Sequence, residues 1–314
     1  MPSVLPAGRR VEVEVPATSA NLGPGFDCLG LALDLYNSCS FSVVDEPTRV
    51  VVAGEGAGRL PTGRRNLIVR SLEFGLRRLG VEPAGVRVEA HNRIPGSRGL
   101  GSSSAAIVTG LIGAHGLARP DEPFDPADWL GPADEIEGHP DNVAAALYGD
   151  LVLAYRRVGG DRQVAASVAG VHPDIGALAL IPPTPVGTEQ ARALLPKSVP
   201  HSDAAANAGR AGLLVRALTA APELLFEATA DWLHQSYRAT AMPQSAALLD
   251  TLRGQQLPAV ISGAGPTVLV LGTEAQLVDA EQAVSVEFRC LRLEVAAGAR
   301  IVADKISRPD SDEA

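Results

Sequence analysis

The stretch Pro95-Gly96-Ser97-Arg98-Gly99-Leu100-Gly101-Ser102-Ser103-Ser104-Ala105-Ala106 decides how the rest of the chain is read. Pro95, Gly96 and Gly99 break any regular pattern, so it opens as a loop. Ala105-Ala106-Ile107-Val108 and then Leu111-Ile112 supply an apolar helical face, so it closes as a helix running to Leu117. A glycine loop feeding a helix start turns unpaired N–H groups and the positive end of the helix dipole toward one point, where an anion is favoured. Gly99 and Gly101 have no Cβ, which predicts close approach by a phosphate. Ser102, Ser103 and Ser104 add hydroxyl donors or a metal ligand. The stretch reads as a phosphate cradle, with a helix carrying a serine-rich N-cap as the plain alternative. A Walker loop needs a lysine beside its Ser/Thr, and the two lysines, Lys197 and Lys305, lie elsewhere. The dinucleotide fingerprint needs a third glycine where Ser104 stands.

Working outward, Gly85–Ala90 predicts the strand that delivers the chain to this loop. Upstream, Leu67, Ile68, Leu72, Leu76 and Leu79 share one face of a helix over 66–79. Val11, Val13 and Val15 alternate with Glu12 and Glu14 as a half-buried strand. A polar loop is expected over Pro16–Asp27, then strands at 29–34 and 40–44. Downstream, helices are expected over 127–136 and from Val143, on either side of Glu137-Gly138-His139-Pro140-Asp141-Asn142. A strand over 149–154 follows, and Gly159-Gly160-Asp161 marks a turn near a domain boundary. The second half predicts strands at 177–181, 259–261, 268–272 and 290–296. Helices are expected at 189–195, 204–220, 223–235, 245–253 and 274–284. A third Gly/Ser/Pro loop, Ser262–Thr267, lies between two of those strands. The mixture is α+β with antiparallel character.

At 314 residues the chain suits two domains or one large one, and 46 % hydrophobic against 20 % charged residues suits a packed core. A net charge of −9 argues against nucleic acid and against an anionic membrane surface as partners. Cys28, Cys39 and Cys290 have no metal-ligand spacing and read as reduced thiols. With no apolar signal core in residues 1–10 and no membrane-spanning run, a cytoplasmic location is expected.

The three loops at 16–27, 95–104 and 262–267 together resemble the three motifs of the GHMP kinases, a family that includes galactokinase, homoserine kinase and mevalonate kinase. The resemblance runs from about residue 11 to 300. The first loop, the tract Glu137–Asn142, and Thr188-Glu189-Gln190-Ala191-Arg192-Ala193-Leu194-Leu195-Pro196 resemble the homoserine kinases in particular. The sequence departs at Ser97, where the family usually has glycine. The resemblance implies an N-terminal domain (1–165) like ribosomal protein S5 domain 2 and a ferredoxin-like α+β C-terminal domain (166–306), with 307–314 as a disordered acidic tail. It implies ATP and Mg²⁺ as cofactors, L-homoserine as the small-molecule substrate, and a homodimer.

Phosphoryl transfer asks mainly for positioning and charge neutralisation. The expected ATP-binding run is Pro95, Gly96, Ser97, Arg98, Gly99, Leu100, Gly101, Ser102, Ser103 and Ser104, with the phosphates on the N–H groups from Arg98 to Ser104. By resemblance Ser103 and Glu137 hold the metal, with Glu135 the rival carboxylate, and Asn66 touches the adenine or simply caps its helix. Asp141, with Asn142 beside it, either takes the acceptor's proton or holds the substrate. His139, on a turn constrained by Pro140, either contacts substrate or is structural. Asn21 and Asp27 suit the hydroxyl and ammonium ends of homoserine. By resemblance Arg192 and Arg238, in Thr188–Arg192 and His234–Arg238, match the two arginines the family uses on the carboxylate, a task that suits a guanidinium fork. A mevalonate-type kinase is the second reading, since mevalonate also has a carboxylate but no ammonium. A non-catalytic nucleotide-binding protein is the third.

Overall fold

The alternation at Val11, Val13 and Val15 fixes the first large element. The computed structural model describes residues 3–159, 163–284 and 286–304. After a two-residue strand β1 (Ser3–Val4), β2 (Arg10–Asn21) carries those valines fully inward and pairs antiparallel with β3 (Gly25–Val44). Their register runs from Arg10 opposite Ser42 to Asn21 opposite Gly25. The expected loop over 16–27 is therefore mostly strand, and only Leu22–Pro24 turn. The polar residues that read as loop are buried in the pairing: Thr18, Ser19 and Asn21 each bond a side chain or carbonyl of a distant segment. The two strands expected at 29–34 and 40–44 are parts of one, β3.

β4 (Arg49–Gly54) is followed by α1 (Leu67–Arg78), β5 (Val81–Glu82) and β6 (Gly85–Asn92). β5 joins β1 in a short parallel ladder, and β6 pairs with both β3 and β4. α2 (Ser102–Ala118) starts three residues earlier than its apolar run and is buried on nearly all sides from Ser104 to Leu117, as a central helix must be when apolar all round. α3 (Pro126–Glu137) and α4 (Pro140–Tyr148) pack beside it, broken apart by Gly138 and His139. β7 (Leu151–Arg156) pairs with β3, and β8 (Val164–Ala169) with β7. The expected domain division at 165/166 falls inside β8, and the turn expected at 159–161 lies largely outside the described residues.

The second sheet begins with β9 (Gly176–Ile181). Its alternation splits the interior in two. Ala177, Ala179 and Ile181 join the core shared with the first layer, while Leu178 and Leu180 face a second, smaller core. Then come α5 (Thr188–Ala193), α6 (His201–Ala220), α7 (Leu225–Ala228), α8 (Gln235–Arg238) and α9 (Pro243–Gly254). One continuous helix over 223–235 does not form. Asp231 accepts from the N–H groups of Leu233, His234 and Gln235 and so starts a new helix there. β10 (Ala259–Ile261), β11 (Val268–Gly272), α10 (Glu274–Gln282) and β12 (Arg289–Leu293) complete an antiparallel sheet in the order β10-β11-β9-β12. This is the ferredoxin-like β-α-β-β-α-β arrangement expected of the second half. β13 (Arg300–Asp304) then returns to pair with β2, so the chain's last described strand belongs to the first sheet. The tail expected at 307–314 lies outside the described residues. Among the described residues no helix is long and apolar enough to cross a membrane.

Candidate active site

The three loops meet and are sewn together by their backbones. Thr18 N donates to Leu100 O at 3.2 Å, Gly263 N to Ala20 O at 3.0 Å, and Thr267 N to Arg98 O at 3.3 Å. Ser262 Oγ lies 2.6 Å from Gly99 O and 2.8 Å from Ser19 Oγ. Two glycines of the helix-start loop are required by this packing itself, apart from any approach of phosphate. Gly99 (φ 77°) and Gly101 (φ 68°) are both left-handed, and a Cβ would sit 2.3 Å from Ser262 O at the first and 1.9 Å from Thr18 Oγ1 at the second. They lack side chains so that the loops can touch each other. At Gly96 a Cβ would meet no atom within 4 Å, and that glycine faces the cavity.

The cavity beside this junction has a volume of about 400 Å³. Of the expected phosphate-loop residues, Gly96–Gly99 and Gly101–Ser104 line it, whereas Leu100 is buried in the core and Pro95 is not on the wall. Arg98 turns its side chain away. Its Nε donates to Pro182 O at 3.1 Å and its Nη2 to Pro183 O, so what it offers the cavity is backbone. Asn66 is the N-cap of α1, with Oδ1 accepting from Ile68 N at 2.9 Å and Nδ2 donating to Pro61 O at 2.8 Å. It also lines the cavity, so the cap and the contact readings share one residue. Val52, Leu60, Pro61 and Arg65 form walls that no motif marked out. They lie on ordinary strand and loop sequence, and only tertiary packing brings them here.

At the start of α2, Ser103 Oγ and Ser104 Oγ each lie 2.8 Å from Glu137 Oε1, at the end of α3. Glu135 points elsewhere and pairs with exposed Arg78 at 3.7 Å. Helical geometry puts residues two apart on different faces, so Glu137 and not Glu135 faces the serines. Ser103 and Glu137 are hard oxygen donors on the cavity wall, a set that suits Mg²⁺. Among the described residues no three His, Cys, Asp or Glu side chains form a metal cage. Mg²⁺ commonly takes only one or two protein ligands beside phosphate, so this donor set fits it.

Asp141, 2 % exposed, lies in the first turn of α4. Its Oδ1 accepts from Asn142 N at 2.7 Å and from His139 Nδ1 at 3.0 Å. That carboxylate contact raises the His139 pKa above its ordinary value, against burial, which lowers it. Asn142 Oδ1 accepts from Thr18 Oγ1 at 2.8 Å, tying the Asp141 turn to the first loop. Cys28 is a packed thiol, pushed up to about 11 by burial and then by Asp141 and Asp27.

The two arginines approach from different helices. Arg192, on α5, grips Asp27 with both Nη atoms, at 3.0 and 2.6 Å. Asp27 itself sits at φ 55°, its N–H bonded to Asn21 Oδ1 at 3.0 Å. Arg238, on α8, is 1 % exposed, and its Nη1 donates to Gly263 O at 3.1 Å and to His234 Nδ1 at 3.2 Å. Both guanidinium groups lie over the Phe26 ring, at 5.6 and 5.4 Å. Arg192, Arg238, Asn21, His139, Asp141 and Asn142 reach the cavity wall, and Asp27 stands behind Arg192. His234 belongs to this group and carried no signal in the sequence beyond its nearness to Arg238.

A helix start that favours an anion, a serine–glutamate oxygen pair and two arginines line one cleft, an arrangement in keeping with a nucleotide-dependent kinase. Residues 66–150 match the GHMP kinases N terminal domain and residues 206–289 the GHMP kinases C terminal. The chain is 52 % identical over 276 residues to a homoserine kinase of Streptomyces coelicolor, covering 88 % of each. It is 44 % identical to one of Rhodococcus erythropolis over 96 % of this chain and 98 % of that one. The crystal structure of homoserine kinase from Cytophaga hutchinsonii superposes with a TM-score of 0.80 at 26 % identity, covering 93 % of this chain and 97 % of that one. Mevalonate diphosphate decarboxylase from Enterococcus faecalis shares the fold, with a TM-score of 0.66 at 13 % identity over 94 % of this chain and 99 % of that one. The chain belongs to the GHMP kinases and, within them, to the homoserine kinases.

Proposed function

We propose that the chain transfers the γ-phosphoryl group of ATP to the hydroxyl of L-homoserine, giving O-phospho-L-homoserine and ADP, a step of threonine biosynthesis. One observation carries the choice of acceptor. The cavity that begins at the helix start Ser102–Ser104 ends at Arg238, a buried cation bonded to no carboxylate among the described residues. A buried charge without a counter-ion favours a ligand that supplies one.

In this reading the N–H groups from Arg98 to Ser104 hold the phosphates, and Asn66 lies against the adenine. Ser103 and Glu137 would hold Mg²⁺, which when bound neutralises phosphate charge. Arg238 and Arg192 receive the homoserine carboxylate. Asp27 serves the ammonium end and at the same time holds Arg192, and Asn21 faces the hydroxyl end. Asp141 Oδ1 is occupied by His139 and Asn142, which leaves Oδ2 to orient the acceptor hydroxyl and take its proton. His139 keeps that carboxylate turned correctly. Free thiols at Cys28, Cys39 and Cys290 suit the cytoplasm. The assembly expected from the family is a homodimer, which light scattering tests.

A coupled ADP-release assay with homoserine, mevalonate and galactose tests the acceptor. Turnover of homoserine alone is expected, and comparable turnover of mevalonate removes the assignment. Glu137→Gln should cut kcat by about a hundredfold or more and raise the Mg²⁺ concentration needed, while Glu135→Gln stays within about twofold.

A further inference from the structure

His234 has no part in the roles assigned so far, yet it is fully buried beside the acceptor end. Its Nε2 lies 2.8 Å from Gly23 O, and its Nδ1 lies 3.2 Å from Arg238 Nη1. A carbonyl oxygen only accepts, so Nε2 carries the hydrogen. A guanidinium nitrogen only donates, so Nδ1 presents its lone pair. A neutral imidazole protonated at Nε2 is the one form that satisfies both partners.

We infer that His234 is a positioning residue for Arg238. Anchored on the turn between β2 and β3, it accepts from the guanidinium and fixes the direction in which that cation faces the acceptor.

The other contacts of Arg238 leave this task to be done. Gly263 O binds the same Nη1, and Phe26 lies under the plane. Nε has no partner among the described residues. With only Gly263 O, the guanidinium could swing about that single bond, and His234 supplies a second fixed point. The histidine is itself held. Its backbone N–H donates to Asp231 Oδ2 at 3.0 Å, and its ring packs 5.4 Å from Phe26. Its anchor, the turn at Gly23, is pinned by Asn207 Nδ2 on Pro24 O at 2.8 Å. The charged groups acting on the ring are the Asp231 carboxylate at 3.7 Å from Nε2, Arg238 and, more weakly, Asp27. Burial holds the His234 pKa below its ordinary value, in keeping with the neutral form. Fixing a charge before substrate arrives removes reorganisation from the binding step.

The inference rests on Arg238 receiving the substrate carboxylate, and the test separates the two. In the full chain, His234→Asn keeps an oxygen near the Nδ1 position, to accept from Arg238, and gives up the Gly23 link. His234→Gln keeps a donor near Nε2 for Gly23 O and gives up the acceptor. KM for homoserine and for ATP, kcat and melting temperature are measured for both, together with Arg238→Met. His234→Gln should raise the homoserine KM by about tenfold and leave the ATP KM within about twofold, while His234→Asn stays within about threefold for homoserine. Equal losses in both His234 variants that track melting temperature, or a Gln variant with an unchanged homoserine KM, overturn the positioning role. An unchanged homoserine KM in Arg238→Met instead overturns the assignment of Arg238 itself.

Discussion

Arg192 and Arg238 lie over the same aromatic ring and differ in almost everything else. Arg192 is about a third exposed and spends both nitrogens on Asp27, whose side chain is equally exposed. Arg238 is buried and held by a carbonyl and a neutral imidazole. The pKa shifts run in opposite directions. The hydrogen bond to Asp27 raises that of Arg192, whereas burial and then repulsion from Arg192 lower that of Arg238. One cation is paired with a carboxylate before any ligand arrives. The other is preorganised, bonded to no carboxylate among the described residues, and feels Asp27, Asp231 and Asp141 only through space. A charge already paired in a half-exposed place contributes little net binding, while a buried one with no carboxylate in direct contact contributes more.

The contrast sets an order for experiments. Arg238→Met should lower kcat/KM for homoserine by about a thousandfold with ATP affinity nearly unchanged. Arg192→Met should cost about ten- to thirtyfold, since the carboxylate keeps one guanidinium. Steady-state kinetics that reverse the two magnitudes break the contrast. A cycle of Asp27→Asn and Arg192→Met measures how strongly that pair is coupled, and screening at a half-exposed site limits its worth in stability to about 0.5–1 kcal/mol. Denaturation midpoints giving several times that value would mean that Asp27 acts as a structural clamp.

The smallest effects lie in two histidines. His139, hydrogen-bonded to Asp141, should titrate above 6.5, and His234, desolvated, below it. The folded state thus binds the His139 proton more tightly than the unfolded chain does, so that contribution to stability is complete below pH 6.5 and fades as pH rises through the folded value. His234 has the opposite sign. Its contribution is complete above 6.5 and is lost as pH falls, because the unfolded chain takes up the proton that the folded site refuses. NMR titration of the two rings checks the directions. Between pH 7 and 5.5, His234→Asn should lose less stability than the parent chain does.

The anion-favouring helix start proposed for the nucleotide reads from local chemistry, whereas Ser103 and Glu137 as metal ligands come from the resemblance. The glycines, serines and apolar turns of residues 95–112 fall within one loop and one helix, and Glu137 and Asp141 follow in one short tract. The acceptor end was proposed only through its resemblance to relatives, because Asp27, Arg192 and Arg238 come from three elements far apart in the chain. The first loop misread for a related reason. A run such as Thr18-Ser19-Ala20-Asn21 looks solvated until Asn142, Ser262 and Gly263 supply partners for its polar atoms. Strand β4 and strand β13 carried too little alternation to stand out, and each forms because a neighbouring edge was open to it.

Short-range rules, such as period, capping and the φ freedom of glycine, need only neighbouring residues, so the sequence by itself determined the helix start that favours an anion, the β-α-β-β-α-β second half and the choice between strand and helix in most segments. The tertiary structure decided which charges are compensated. It set Asp27 against Arg192, buried Arg238 beside a neutral His234, turned Glu137 inward and Glu135 outward, and gave Gly99 and Gly101 neighbouring loops to touch. Each of these depends on distance and burial between residues remote in sequence, and electrostatic worth is fixed by those two quantities.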